Sequence, residues 1–194
     1  MREESTTPSQ DRFVASMQQS ADWLTSWEAC ELSDEVLADR VAGLVQDRDG
    51  ARGFFVVAMT SEIPLLDRQP EALLAALRQA GELVVDLTVR NLVMSTAMAV
   101  HHARNHDPDQ LQGSQRVRRR ATELLRLLEP DQVRRRLEPM LAASRFQADH
   151  TEDSQVDKLP DAVRDDLGML CRWGYDVEQL MAIEASIEGV AESD

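Results

Sequence analysis

The chain has 194 residues and a formal net charge of −14 at pH 7. A chain of this length suits one domain and buries roughly 70% of its unfolded surface, so it needs neither disulfides nor a metal to fold. Hydrophobic residues make up 43% of it and charged residues 29%, which is typical of a globular protein. The strong negative charge argues against nucleic acid as a general partner, because phosphates would be repelled.

The amino terminus and the cysteines indicate the compartment. The first ten residues, MREESTTPSQ, are polar and contain no apolar core of a signal peptide. No apolar run reaches the roughly 18 residues that a membrane-spanning helix needs. Cys30 and Cys171 lie far apart and neither belongs to a CxxC pair, so both are predicted to be buried free thiols. We therefore expect a cytoplasmic protein that does not bind membranes.

Helical periodicity dominates the first third of the chain, and no segment alternates like a strand. A first helix is predicted after Pro8 and a second from Ser33, whose hydroxyl suits an N-cap. The apolar run FFVVAM, residues 54–59, is the one candidate for a strand, but no second strand is available to pair with it. We interpret it as a buried helix. A short helix follows from Pro70 and ends at Gly81.

The longest helix is predicted from Glu82 to about Asn105. Asp86, Arg90, Ala97 and Arg104 share one narrow face of this helix, which we assign to the solvent side. The rest of its circumference is mainly apolar, which is typical of a central helix that other helices surround.

The remaining chain predicts two further helices and a carboxy-terminal hairpin. The helices run through about 115–128 and from Pro130, and the polar segment that follows suggests a linker. Gly174 is expected to separate the hairpin arms, and Asp176 with Gln179 forms a capping box for the second arm. The sequence thus predicts an all-α fold: a multi-helix bundle over 1–147, an acidic linker over 148–160, and a helical hairpin over 161–194 that packs on the bundle.

Arginines are concentrated in one part of this acidic chain. Residues 104–145 hold ten arginines and six acids, a net charge of +4, whereas residues 146–194 hold 13 acids and three bases, a net charge of −10. The candidate partner-binding residues are the arginines of two clusters: Arg116, Arg118, Arg119, Arg120, Arg134, Arg135 and Arg136. They form either a solvated face paired with the acidic residues of 146–194, which we call the acidic arm, or a docking surface. The docking surface would bind an acidic protein surface or a phosphorylated ligand. An acidic arm that a partner displaces would combine the two.

A row of polar residues lies on one face of the long helix: Thr88, Asn91, Ser95, His102 and His106. It predicts a hydrogen-bonded seam between helices, and the alternative is a small-ligand pocket lined by Asn91, Ser95 and His102. His102 and His106 have the i,i+4 spacing of a metal-binding pair, but no acid lies in register with them, so they are weak metal candidates.

No catalytic signature is present. The chain has no GxSxG, P-loop or GxGxxG motif, so we expect a non-catalytic protein without a cofactor, and an enzyme with a new kind of helical site is the alternative. Its leading function is a helical interaction module, acting as a scaffold, adaptor or assembly factor. Trp23 and Trp27 suit a core and an oligomer interface equally, which leaves a homo-oligomer open.

Two segments carry a resemblance to other proteins. The run from Leu87 to Leu128, with TVRNLVMSTAMAVHHARNHDPDQLQGSQRVRRRATELLRLL at its heart, resembles uncharacterised all-helical proteins of cyanobacteria. The segment RWGYDVEQLMAIE, residues 172–184, is similar to a helix-turn-helix that ends such chains. The resemblance implies a helical fold and no particular activity.

Overall fold

The computed structural model describes residues 8–149 and 153–191, except for the side chains of residues 8, 153–155 and 191. Over these residues the protein forms ten α-helices and one 3₁₀ helix, and it contains no strand. The all-α prediction is confirmed. The contacts divide the chain into two compact units, Met1–Leu87 and Thr88–Asp194.

The first unit is built from five helices and the beginning of a sixth. Helix α3 packs on α1, and α2 packs on α5. The FFVVAM segment lies within α3, so its interpretation as a helix is confirmed, and Phe54 and Phe55 are buried there. The five helices are α1 (Pro8–Glu28), α2 (Asp34–Leu44), α3 (Arg48–Thr60), α4 (Leu65–Arg68) and α5 (Glu71–Ala80).

A glycine allows α1 and α3 to approach closely. A Cβ atom added to Gly53 of α3 would lie 2.6 Å from Ser16 Cβ and 3.0 Å from the Phe13 carbonyl oxygen. Real Cβ contacts are not this short, so only glycine fits without moving the helices. The first unit therefore depends on a backbone contact that hydrophobic periodicity does not reveal.

Helix α6 (Glu82–Arg104) contains the boundary between the two units. Among the described helices it is the one long and apolar enough to cross a membrane, with 61% of its most apolar window buried inside the protein. The expectation that no apolar stretch reaches this length was therefore wrong. A buried helix of a folded core passes the same test of length and composition, so this observation is weak evidence for a membrane span.

The second unit continues α6 and adds four helices. Helix α8 packs against both α9 and α10, and α7 also contacts α10. Its buried apolar side chains come from all of these helices and include Leu124, Met140, Leu170 and Ile183. The helices are α7 (Pro108–Leu127), α8 (Pro130–Ala148), α9 (Asp161–Trp173) and α10 (Val177–Ala191), with a 3₁₀ helix over Asp153–Lys158.

The two units divide the chain at a different place from the predicted linker. The hairpin predicted over 161–194 shares a unit with α7 and α8, and the 3₁₀ helix occupies part of the predicted linker over 148–160. Packing of α9 and α10 on α8 explains why no boundary falls there. Residues 1–7 of the predicted bundle, 150–152 of the linker and 192–194 of the hairpin lie outside the described residues.

The predicted capping box at the start of α10 is confirmed. The Gln179 backbone N–H donates to Asp176 Oδ1, and the Asp176 backbone N–H donates to Gln179 Oε1, each at 3.0 Å. The Gln179 side-chain amide also donates to the Ala97 carbonyl oxygen of α6 at 3.0 Å. Ala97 is fully buried, so its assignment to a solvent face was wrong, because α10 approaches that face.

Both cysteines differ from their predicted environment. Cys30 follows α1 in a turn with φ +60°, and Cys171 lies near the end of α9; both are exposed free thiols. The prediction of buried thiols was wrong, because it used a general tendency of cysteine and neither position faces a core.

Candidate functional site

The structure separates the predicted arginine clusters into an internal and an external set. Arg120 is only 1% exposed and heads the fully buried side chains by volume, and the side chain of Arg136 is 18% exposed. These two arginines cannot form part of an exposed docking surface, so their assignment to it was wrong. Arg116 is half-buried. The helical periodicity explains the difference: Arg120 follows Val117 and precedes Leu124 on the inward face of α7.

Arg136 forms an internal ion pair that joins α8 to α9. Its two terminal nitrogens donate to the two carboxylate oxygens of Asp166 at 2.7 and 2.8 Å. The Asp166 side chain is 5% exposed, so this bidentate pair lies largely out of water. A planar guanidinium suits this arrangement, which a lysine would not reproduce.

A second arginine of α8 binds the acidic carboxy-terminal helix. Arg145 donates to Glu184 and Glu188 of α10, at 2.6 Å in each case. These hydrogen bonds raise the pKa of Arg145. Internal pairing with the acidic arm therefore accounts for Arg136 and Arg145, and also for Arg104, which donates to Asp176 and Glu178.

The other arginines point outward and form what we call the arginine surface: Arg118, Arg119, Arg126, Arg134 and Arg135. In the part of the chain that the structure describes, neither Arg118 nor Arg135 has a carboxylate partner. Arg134 reaches Asp131 only at 3.9 Å, and both of those side chains are more than two-thirds exposed. Exposed pairs of this kind contribute little energy, so the charge of Arg134 remains available to a partner.

Three of these arginines lie on one face of α7. Arg118, Arg119 and Arg126 line a shallow surface pocket with Gln115, Thr122 and Glu123. This is the i, i+3, i+4, i+7 spacing that places residues along one side of a helix. Arg126 is held in position because it donates to the Gly189 carbonyl oxygen of α10 at 2.6 Å. A carbonyl group does not neutralise its charge.

An apolar groove of about 430 Å³ lies beside this face, between α7, α8 and α10. Arg126 belongs to both the pocket on α7 and the groove, so the two features are continuous. Arg134, Glu138 and Glu188 complete the charged edge. The apolar side chains that line the groove are Leu125, Leu128, Pro130, Val133, Leu137, Leu141, Ile187 and Val190.

Sequence reasoning missed this groove. The apolar residues of α7 and α8 were recognised as inward-facing, and α10 repeats apolar residues at Ile183, Ile187 and Val190. This pattern predicts a packed core equally well. Whether three apolar faces close completely or leave a groove depends on how the helices pack, which periodicity does not determine.

The residues of the polar row on α6 lie at different depths in the protein. Thr88 and Ser95 are buried, and Ser95 Oγ donates to the Leu92 carbonyl oxygen of its own helix at 3.1 Å. Asn91 and His102 are half-buried. Neither the groove nor the α7 pocket includes any of these residues. The small-ligand alternative stays a prediction.

His102 and His106 lose the helical register that would let them share a metal. Helix α6 ends at Arg104, and His106 has a left-handed backbone with φ +54° in the following turn. Among the described residues, no group of three or more His, Cys, Asp or Glu side chains is placed to hold a metal ion. The i,i+4 spacing of these two histidines is therefore not a spacing within one helix.

The chain can be assigned to a class and then to a family. By fold it is an all-α protein whose second unit carries an arginine surface beside an apolar groove. It belongs to the family described as uncharacterised conserved protein UCP020893, whose model matches residues 12–190. Searches of the curated proteins and of the solved structures found no significant match.

Proposed function

We propose that this protein is a non-catalytic interaction module, acting as a scaffold, adaptor or assembly factor, that binds its partner through the arginine surface. The observation that supports the proposal is the set of five exposed arginines on α7 and α8 of a chain with a net charge of −14. Internal pairing occupies Arg136 and Arg145 but leaves Arg118 and Arg135 without a carboxylate among the described residues.

The chemistry of the surface specifies the partner. Guanidinium groups bind carboxylates and phosphates with two parallel hydrogen bonds, so the partner is an acidic protein surface or a phosphorylated ligand. The large negative charge of the whole chain opposes the approach of nucleic acid. The attraction is local and electrostatic, so high salt weakens the association.

The test is a charge reversal of two neighbouring arginines of the arginine surface. The variant R118E/R119E changes two exposed residues of α7 and lowers the net charge by four. We expect a partner to co-purify with the wild-type protein and to be lost with this variant, while far-UV circular dichroism stays unchanged.

The matched control is R48E/R172E, which makes the same change of charge at exposed positions on α3 and α9. It should retain the partner. If R118E/R119E and the control retain the partner equally, the arginine surface does not bind it and the proposal fails.

The proposal includes the cellular compartment, and it leaves the relation to other helical proteins open. In this proposal the interaction takes place in the cytoplasm. The relation to helical proteins of cyanobacteria stays a prediction, and the proposed function does not depend on it.

A further inference from the structure

The arginine surface and the apolar groove meet at one residue, Arg126, which lines both. An apolar lining and exposed guanidinium groups therefore lie side by side on one surface. The arrangement suits a partner that carries both an apolar and an acidic face. The volume of the groove, about 430 Å³, lies within the roughly 300–1,000 Å³ range of known binding pockets.

The charges at the edge of the groove favour an acidic occupant. Glu188 is already bound by Arg145 at 2.6 Å, so its charge is compensated within the protein. Among the described residues, Arg126 donates to a carbonyl oxygen and Arg134 has only its distant contact with Asp131. Over the groove and the α7 face together, four arginines oppose Glu123 and Glu138.

The arginines of α7 are spread along the axis of that helix. Arg119 and Arg126 are seven residues apart on α7, which corresponds to about 10 Å along the helix axis. An amphipathic helix that lies along α7 can therefore place apolar side chains in the groove and carboxylates over Arg118 and Arg119. Recognition of a helix through apolar residues at i, i+3 or i+4 and i+7 is a common mode of binding.

Resting on the function proposed above, we infer that the groove between α7, α8 and α10 receives the apolar face of an acidic amphipathic helix of a partner protein. The groove is open to solvent along one side. A small ligand would remain partly wet there, whereas ligand sites normally bury most of the ligand surface. A partner helix covers the open side with its own backbone and acidic residues.

Two labelled peptides of equal composition test the inference. Both contain about 18 residues, or about 27 Å as a helix, made of leucine, alanine and glutamate. In the first peptide the leucines share one face, and in the second they are scrambled around the helix. Fluorescence anisotropy at low salt should show that the wild-type protein binds the amphipathic peptide at least about tenfold more tightly.

Two variants separate the groove from the arginine surface. Leu141 is half-buried at the groove, so L141E places a carboxylate there with little cost to the core. It should weaken binding of the amphipathic peptide by about tenfold and that of the scrambled peptide much less, because only the amphipathic peptide places leucines in the groove. R118E/R119E should weaken both peptides. The control M181E changes a side chain that is 62% exposed on α10 and should change neither.

The outcomes distinguish this inference from the proposed function. If the wild-type protein binds both peptides equally and R118E/R119E loses both, the arginine surface binds acids but the groove inference is overturned. If neither peptide binds, the groove inference is also overturned, and the co-purification experiment decides the proposed function separately. A third peptide, the scrambled sequence with phosphoserines, tests whether the site binds phosphate. If it binds tightly and L141E leaves its binding unchanged, the site binds phosphate and the inference of a partner helix is overturned.

Discussion

At the scale of single residues, the arginines differ by environment rather than by type. Arg120 is buried, Arg136 is paired with Asp166 away from water, and Arg118 is exposed. The sequence places all three in basic clusters and predicts one common role. Their depths differ because successive residues of a helix point in directions about 100° apart. Of these three, only Arg118 can be altered without removing a buried side chain.

The pair between Arg136 and Asp166 gives the first prediction. D166N removes the charge partner of a guanidinium that is 18% exposed, and loss of one member of a buried pair costs about 3–5 kcal/mol. Urea unfolding followed by circular dichroism measures this loss. The exposed pair of Arg134 and Asp131 is the control, and D131N should change the stability by less than about 1 kcal/mol.

The double variant R136M/D166L completes this experiment. It replaces both members with apolar groups, so no uncompensated charge remains, and we expect it to recover most of the stability that D166N loses. If D166N is as stable as D131N, the ion pair does not hold α9 on α8.

Asp176 gives a prediction that depends on pH. Hydrogen bonding to Arg104, followed by the backbone N–H of Gln179, lowers the pKa of Asp176 to about 2. The pKa of Asp176 in the folded protein lies below its unfolded value of about 3.9. The carboxylate therefore contributes its full stabilisation of the fold above about pH 3.9. This contribution is lost as the pH falls through about 2.

A carboxyl titration by nuclear magnetic resonance tests this prediction. R104Q should raise the Asp176 midpoint towards about 3.9, because the largest cause of the shift is removed. The control is R164Q, which changes an arginine of α9 that pairs with Asp161. It should leave the midpoint of Asp176 unchanged. An equal midpoint in R104Q and the wild-type protein would show that Arg104 does not hold Asp176.

At the scale of elements, the ends of the helices can be predicted from local capping residues, whereas the burial of each helix face cannot. Ser33 caps α2 through its side chain, and the α10 capping box forms as its sequence predicts. Helix α7 begins at Pro108, earlier than the predicted 115, because Asp107 caps it and proline suits its first turn. Capping residues act within a few residues and can be read from the sequence. The burial of Ala97 depends on a helix 80 residues later.

The close approach of α1 and α3 gives a prediction at this scale. A methyl group at position 53 would lie within 3.0 Å of α1 atoms, including the Met17 backbone nitrogen. We expect G53A to destabilise the protein by about 1–3 kcal/mol, since crowding of a packed interface forces the backbone to shift. Thermal unfolding by circular dichroism measures the change.

Gly43 of α2 provides the matched control. No atom lies within 4 Å of a Cβ added there. G43A should stabilise the protein by about 0.5–1 kcal/mol, because alanine is the better helix former. Equal effects of G53A and G43A would mean that α1 and α3 do not pack as described.

At the scale of the whole molecule, charge and contacts divide the chain differently. The net charge changes sign after about residue 103 and again after 145, whereas the compact units meet at residues 87 and 88. The basic segment and the acidic arm thus belong to one unit, where Arg136 and Arg145 join them. The sequence predicted the charge blocks but not the groove, because a groove is what remains when three apolar faces fail to close.

The most direct measurement places a photo-crosslinking amino acid at position 122 in the living source cells. Thr122 lies on the α7 face between Arg118 and Arg126, and position 56 on α3, which is exposed at 37%, is the control. The account predicts that position 122 crosslinks to an acidic protein, identified by mass spectrometry, and that position 56 does not. Crosslinks to the same proteins from both positions, or from position 56 alone, would contradict it.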